Sequence, residues 1–176
     1  MNVTITPRLL QGTITPPPSK SQAHRVLIAS ALSGGGSILK NVALSQDIEA
    51  TIRCLEVLGA SFRWEGDALA VTGLAGRPAS RGELPLLDCG ESGSTLRFLI
   101  PIALAVLGGG RFTGHGRLME RPQGPYFELF REKGISFEQK DSVLTISGRL
   151  EAGTFSLPGN VSSQFITGLL YALPLL

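Results

Sequence analysis

Three consecutive prolines, Pro16 to Pro18, run into Ser19-Lys20-Ser21, and Arg25 follows one helical turn later. Proline cannot donate an N–H or continue a strand ladder, so the three end any extended segment and fix the direction in which the chain enters a helix. Ser19 is the predicted N-cap. Ser21 and Arg25, four residues apart, share one helix face beside free backbone N–H groups and the positive end of the helix dipole. The chemistry such a start offers is anion binding. A capped helix whose Lys and Arg are merely solvated is the plainer alternative, and repetition argues against it. Ser21-Gln-Ala-His-Arg25 has a counterpart in Gly93-Ser-Thr-Leu-Arg97, and a third helix start is predicted at Val161-Ser-Ser-Gln-Phe165. If the three N-termini lie side by side, their free N–H groups converge on one anion-rich ligand. Capping by itself also selects Ser and Gly at such positions.

The elements that must position these residues follow from periodicity. Val3, Ile5 and Leu10 to Ile14 suggest short extended segments, and Gln22 to Leu32 reads as a buried, nearly all-apolar helix stopped by Gly34 to Gly36. Ser37 to Leu44 reads as a strand and Gln46 to Leu58 as an amphipathic helix capped by Ser45 or Asp47. Ser61 to Leu74 reads as a hairpin turning at Gly66-Asp67. A loop at Ala75 to Arg81 leads to a strand over Leu84 to Cys89, a buried helix over Glu91 to Leu107 and a strand over Arg111 to Glu120. Pro122 to Lys133 and Gly134 to Arg149 complete a second unit, and a strand is predicted over Thr154 to Leu157 before a helix that runs uncapped into Ala172 to Leu176. Gly59-Ala-Ser-Phe62 matches Gly134-Ile-Ser-Phe137 at an offset of 75, which Leu69 and Leu144, then Gly73 and Gly148, keep. Two β-α-β-α-β-β units in one chain argue for duplication and pseudo-symmetric packing.

Composition narrows the function classes. With 176 residues, 43% hydrophobic and 17% charged, the chain suits a globular core rather than a disordered polyelectrolyte. A net charge of +2 with scattered basic residues leaves no footprint for nucleic acid or an anionic membrane, so the expected ligand is small. The longest apolar stretch, Phe98 to Leu107, is half a membrane span and contains Pro101. Cys54 and Cys89 read as core thiols of a reducing compartment, and a cytoplasmic location is expected. His24 and His115, the only histidines, read as hydrogen-bonded core residues, and no metal-ligand constellation or cofactor motif is present.

Ser19-Lys-Ser-x-x-x-Arg25, Gly90-Glu-Ser-Gly-Ser-Thr-Leu-Arg97, Glu120-Arg-Pro122 and Val161-Ser-Ser-Gln-Phe165, in this order along the whole chain, resemble the 5-enolpyruvylshikimate-3-phosphate synthase family. The resemblance implies an α/β (α+β) fold, the enolpyruvyl transferase-like inverse α/β barrel, with repeated β-α-β-α-β-β units around buried parallel helices. In the family two domains of three such units enclose the ligands. It further implies a strand segment at 1–13 belonging to the other domain, two units over 14–149 (about 14–74 and 84–149), and a third, cut short, at 150–176. By resemblance Lys20, Ser21 and Arg25 hold shikimate 3-phosphate, Ser162 and Ser163 grip its phosphate, and Gln164 lies against its ring. Lys20, Gly93, Arg121 and Gln164 take phosphoenolpyruvate. Arg97 is expected to support from behind, paired with a carboxylate.

The reaction implied is transfer of the carboxyvinyl group to the 5-hydroxyl of shikimate 3-phosphate. Lys20 would assist it, while the main acid and base, an aspartate and a glutamate, are expected in the missing C-terminal domain, leaving this chain a substrate-binding piece inactive alone. Two departures stand out: Glu91 where the family often has Asn, and Phe98 where it often has Pro. A carboxylate at position 91 weakens an anion site unless it points away or is paired. The related transferase for a nucleotide amino sugar would carry Lys-Asn at the first helix and a reactive loop cysteine. Here Ser21 follows Lys20, and Arg111 to Arg121 contains no cysteine. A non-catalytic phosphate-binding or assembly module is the alternative from another class.

Overall fold

A computed structural model describes residues 3–9, 11–74 and 82–176. The chain forms α1 (Lys20–Leu32), β1 (Gly36–Lys40), α2 (Gln46–Val57), β2 (Ser61–Glu65) and β3 (Ala68–Thr72), then β4 (Leu86–Asp88), α3 (Gly93–Leu107) and β5 (Gly109–Thr113). It continues through α4 (Gly124–Lys133), β6 (Ser136–Lys140), β7 (Val143–Ser147) and α5 (Ser163–Ala172). The first sheet has the order β1-β3-β2 and the second β4-β5-β7-β6. All pairings are antiparallel except β4 with β5, which is parallel. Ser61 pairs with Thr72 and Ser136 with Ser147, so the hairpins repeat in register at the offset read from the sequence. The fold is mixed α/β and consistent with an incomplete enolpyruvyl transferase-like barrel.

The helices are the core of the arrangement. α1 and α2 run parallel, Lys20 meeting Asp47 and His24 meeting Thr51, and α3 packs on α2 where Thr51 meets Thr95. α3 and α5 are also parallel, since Gln164 reaches Ser94 while Gly168 lies against the Arg97 carbonyl and Pro101. Pro101 sits inside α3 without ending it. Its missing N–H frees the Arg97 carbonyl four residues back, and the Tyr126 hydroxyl meets that carbonyl at 2.8 Å and the Phe165 carbonyl at 2.9 Å. A Cβ at Gly168 would collide with that same hydroxyl and carbonyl, so only glycine lets α5 approach α3 this closely. Leu27, Ile28, Leu96, Leu99, Ile100, Phe130 and Phe165 fill the space between the helices and sheets.

Several sequence expectations are corrected. Among the described residues no strand precedes α1, where three prolines without N–H groups adjoin exposed Val3, Ile5, Leu9 and Ile14; the first unit therefore shows no leading strand. β1 ends at Lys40 because Asn41 takes φ 59°, and β4 is shorter than Leu84 to Cys89. The strand expected through Glu120 stops at Thr113. There the His115 N–H turns back to the Gly90 carbonyl at 2.7 Å, Gly116 adopts φ 57°, and a 3-10 turn covers Leu118–Glu120. Thr154 to Leu157 is no strand, and side chains anchor it instead: Lys133 Nζ donates to the Thr154 carbonyl at 2.8 Å and lies over the Phe155 ring. α1 is buried on one side only, with Val26 and Ala29 exposed. α5 ends at Ala172, where the Leu173 N–H caps it and Pro174 enters a 3-10 turn. The Ala75 to Arg81 loop lies outside the described residues. No helix among the described residues is long and apolar enough to cross a membrane.

Candidate functional site

Three serines cap the helices whose starts stood out in the sequence. Ser19 Oγ accepts from the Gln22 N–H, Ser92 Oγ from Thr95, and Ser162 Oγ from Gln164. These caps set the true correspondence: Lys20 and Gly93 open their helices, and Ser21, Ser94 and Gln164 occupy the second helical position. The sequence alignment of Ser21 with Gly93 is one residue out of step. Ring contacts hold the first turns together, with His24 edge-on to Phe98, Arg25 5.5 Å above Phe98, and the Tyr171 hydroxyl donating to the Arg25 carbonyl at 3.2 Å. Phe98, the departure from the family pattern, thus becomes the platform on which α1, α3 and α5 meet.

The cations divide into two groups. Lys20 Nζ is 2.7 Å from Asp47 Oδ2, and Arg25 Nη1 donates to Ser21 Oγ at 2.6 Å and to the Ser21 carbonyl at 2.8 Å. Both remain solvent-accessible, Lys20 at 57%. Arg121 is different. Its Nη1 lies 2.7 Å from where a Cβ on Gly93 would be, and among the described residues its guanidinium has no carboxylate or hydrogen-bond partner. Arg97 is close by. Its Nη1 donates to Gln164 Oε1 at 2.8 Å, its Nη2 reaches the Pro122 carbonyl at 3.4 Å, and the group lies 4.7 Å over Phe165. No carboxylate among the described residues meets it, which corrects the pairing expected from sequence. Burial, then the neighbouring Arg121 charge, lower its pKa from the usual arginine value. Two guanidiniums beside a helix N-terminus, without a counter-charge among the described residues, form a local excess of positive potential.

Behind the first turns runs a buried hydroxyl chain: His24 Nδ1 to Thr51 Oγ1 at 2.8 Å, on to Thr95 Oγ1 at 2.7 Å, then to Ser92 Oγ at 2.7 Å. Desolvation is the main cause that pushes His24 down to about 4, so it is neutral near pH 7. Its Nε2 is buried without a partner. His115 is exposed, in a turn, with Nε2 3.4 Å from Asp88 Oδ2, and is no core residue. Glu91 faces a cavity of about 250 Å³ lined with Gln46, Glu49, Arg53 and His115, its carboxylate against Gly116. It points away from the Gly93 start. Cys54 and Cys89 are free and buried. Sequence reasoning missed Asp47 as the partner of Lys20, and Ser94 as the partner of Gln164; a carboxylate in the first turn of α2 and a hydroxyl beside Gly93 were the available signals.

A family model described as EPSP synthase (3-phosphoshikimate 1-carboxyvinyltransferase) matches residues 5–176. The 3-phosphoshikimate 1-carboxyvinyltransferase of Clostridium beijerinckii is 46% identical over 181 residues, covering 99% of this chain and 42% of that protein. That of Clostridium perfringens is 45% identical over 176 residues, with 99% and 41% covered. The chain thus spans about two fifths of the length of these relatives. The solved EPSP synthase of Acinetobacter baumannii superposes with a TM-score of 0.75 over 92% of this chain and 37% of that one; at 24% identity it speaks for the fold alone. With a family model matched along nearly its whole length and relatives at 46% identity over 99% of its residues, this chain belongs to the EPSP synthase family.

Proposed function

We propose that this chain supplies the substrate-binding surface for carboxyvinyl transfer from phosphoenolpyruvate to the 5-hydroxyl of shikimate 3-phosphate. The observation that carries the reading is the Arg121 guanidinium against Gly93 at the start of α3, unmatched by any carboxylate among the described residues. Such a place suits a small dianion, and the relatives' printed name gives one, 3-phosphoshikimate. In this reading Gly93 and Arg121 take phosphoenolpyruvate, with Lys20 and Gln164 at its edge. Lys20, Ser21, Arg25, Ser162 and Ser163 hold shikimate 3-phosphate, and Gln164 lies against the ring.

The chemistry assigns the chain's residues a charge role. Protonation of the enol carbon of phosphoenolpyruvate lets the 5-hydroxyl oxygen bond the adjacent carbon, with loss of the hydroxyl proton. Removal of a proton from the new methyl group then expels phosphate and leaves the vinyl ether. Negative charge gathers on the departing phosphate, where Arg121, Lys20 and the α3 N–H groups act. Lys20 would leave its 2.7 Å pair with Asp47 to meet a substrate anion. The proton-transferring carboxylates belong, in this proposal, to a domain beyond these residues, which is the partner we propose together with the two substrates. Free buried Cys54 and Cys89 support a reducing, cytoplasmic setting. The test is titration of the chain with each substrate, followed by amide NMR. Shifts clustered at 19–25, 93–97, 121 and 162–165 are the expected result; shifts elsewhere, or none, refute the surface.

A further inference from the structure

Gln164 is held at three points. Its backbone N–H donates to Ser162 Oγ at 3.3 Å, its Oε1 accepts from Arg97 Nη1 at 2.8 Å, and its Nε2 donates to Ser94 Oγ at 2.9 Å. A side-chain amide flipped by 180° would set its NH₂ against a guanidinium, donor against donor, and lose the Arg97 bond; the Ser94 hydroxyl pairs with either end of the amide, so Arg97 alone sets the orientation. Arg97 itself has little freedom: it lies on the Phe165 ring, touches the Pro122 carbonyl, and meets no carboxylate among the described residues. One Nε2 hydrogen of Gln164 is taken by Ser94, and the second is left to donate.

We propose that Arg97 is a positioning residue, fixing the Gln164 amide so that it offers an N–H rather than an oxygen to an anionic or hydroxyl-bearing substrate beside Gly93 and Arg121. The inference rests on the proposed function for the identity of the substrate, but the amide orientation does not depend on it. Arg97 acts at one remove: it spends a hydrogen bond on Gln164 Oε1, and the like-charged Arg121 stays free for the substrate. A glutamine whose oxygen pointed outward would repel a phosphate or carboxylate, so the arginine makes the site selective for acceptors.

The test uses the 176-residue chain in uniformly ¹⁵N-labelled form, with Arg97→Met, which keeps an apolar stem on Phe165, and Arg97→Lys, which keeps the charge and one donor. The Gln164 side-chain amide pair is assigned by its loss in Gln164→Ala. In Arg97→Met the two Nε2 protons are expected to collapse toward the shifts of a free glutamine, with Arg97→Lys intermediate. Phosphoenolpyruvate affinity, read by NMR titration with shikimate 3-phosphate present, is expected to fall about tenfold in Arg97→Met and less than about twofold when the same change is made in Gln164→Ala. A purely packing role would lower the melting temperature in both backgrounds and leave the amide pair where it was. Unchanged Gln164 resonances in Arg97→Met overturn the proposal, as does an affinity loss of the same size in both backgrounds, which would put Arg97 on the ligand itself. If the unsubstituted chain shows no phosphoenolpyruvate response at tens of millimolar, the proposed function fails, while the amide pair still decides whether Arg97 fixes Gln164. Should Arg97→Met fail to fold, the amide shifts of Arg97→Lys and its affinity in the two Gln164 backgrounds decide in its place.

Discussion

Gly93 touches no backbone that a methyl would strike; what a Cβ meets is the far end of Arg121. Gly93→Ala is therefore expected to swing the guanidinium aside at small cost in stability. It should weaken phosphoenolpyruvate and its phosphonate mimic glyphosate more than shikimate 3-phosphate. Calorimetry in a complete family enzyme carrying the equivalent change checks this, and equal losses for both ligands would make Gly93 a packing residue. His24 gives a second prediction. Its ring is fully buried and its pKa lies near 4, below the ordinary 6.5, so between those values the unfolded chain binds a proton that the folded chain does not. Stability from this group is present above pH 6.5 and is lost as pH falls toward 4, by on the order of 3 kcal/mol. Urea melts at pH 4.5 and 7 should show that His24→Gln flattens this slope; an unchanged slope assigns it elsewhere. The three helix starts were legible from the sequence because Ser and Gly there suit capping and anion binding alike, and the structure shows the serine caps. Their partners were not: Asp47 meets Lys20 across 27 positions and Gln164 meets Arg97 across 67, and no local pattern encodes such pairings.

At the scale of elements, the close crossing of α3 and α5 sets the Gln164–Ser94 distance. Gly168→Ala would drive a methyl into the Tyr126 hydroxyl and the Arg97 carbonyl, both buried, so the helices must part. Overpacking of this kind costs about 1–3 kcal/mol, and loss of the Tyr126 bonds adds about 1 kcal/mol more. Equilibrium urea unfolding should report that loss, and Tyr126→Phe alone should report the smaller part. A Gly168→Ala chain as stable as its parent would mean that α5 shifts freely, and that the crossing fixes nothing. The helices and the two hairpins were legible because caps, glycines and a repeated offset of 75 mark them. The strand expected through Glu120 was not stopped by any residue with low strand propensity alone; a tertiary bond from His115 to the Gly90 carbonyl turned it. Likewise Thr154 to Leu157 has strand-like alternation, yet a lysine takes the Thr154 carbonyl that a ladder would need. Pattern reveals which segments suit a strand, while pairing decides which become one.

Across the whole molecule, the first turns of α1, α3 and α5 present one wall of hydroxyls and cations to an open side, where Lys20, Ser21, Ser163 and Arg121 are exposed. A charge-assisted hydrogen bond contributes about 1.5–3 kcal/mol where water is excluded, but an exposed ion pair contributes roughly 0–1 kcal/mol. With water on the open side, each contact to a substrate phosphate falls toward the lower figure, and Lys20 must also leave Asp47. Binding of shikimate 3-phosphate to the 176-residue chain is then expected to be no tighter than about millimolar, which corresponds to about 4 kcal/mol. Catalysis is weakened further, because proton transfer needs positioned carboxylates and closure needs a second wall. The chain alone should release no phosphate from phosphoenolpyruvate above background. Supplying in trans the remaining three fifths of a clostridial relative should restore part of the activity, and Lys20→Ala in this chain should abolish what is restored. Two measurements decide the matter: calorimetric or NMR affinity for shikimate 3-phosphate, and phosphate release with and without the added segment. Micromolar binding by the chain alone would show that one wall suffices to desolvate the ligand. Phosphate release by the chain alone would place the acid and base among these residues, and would move Lys20 from charge stabiliser to principal proton carrier.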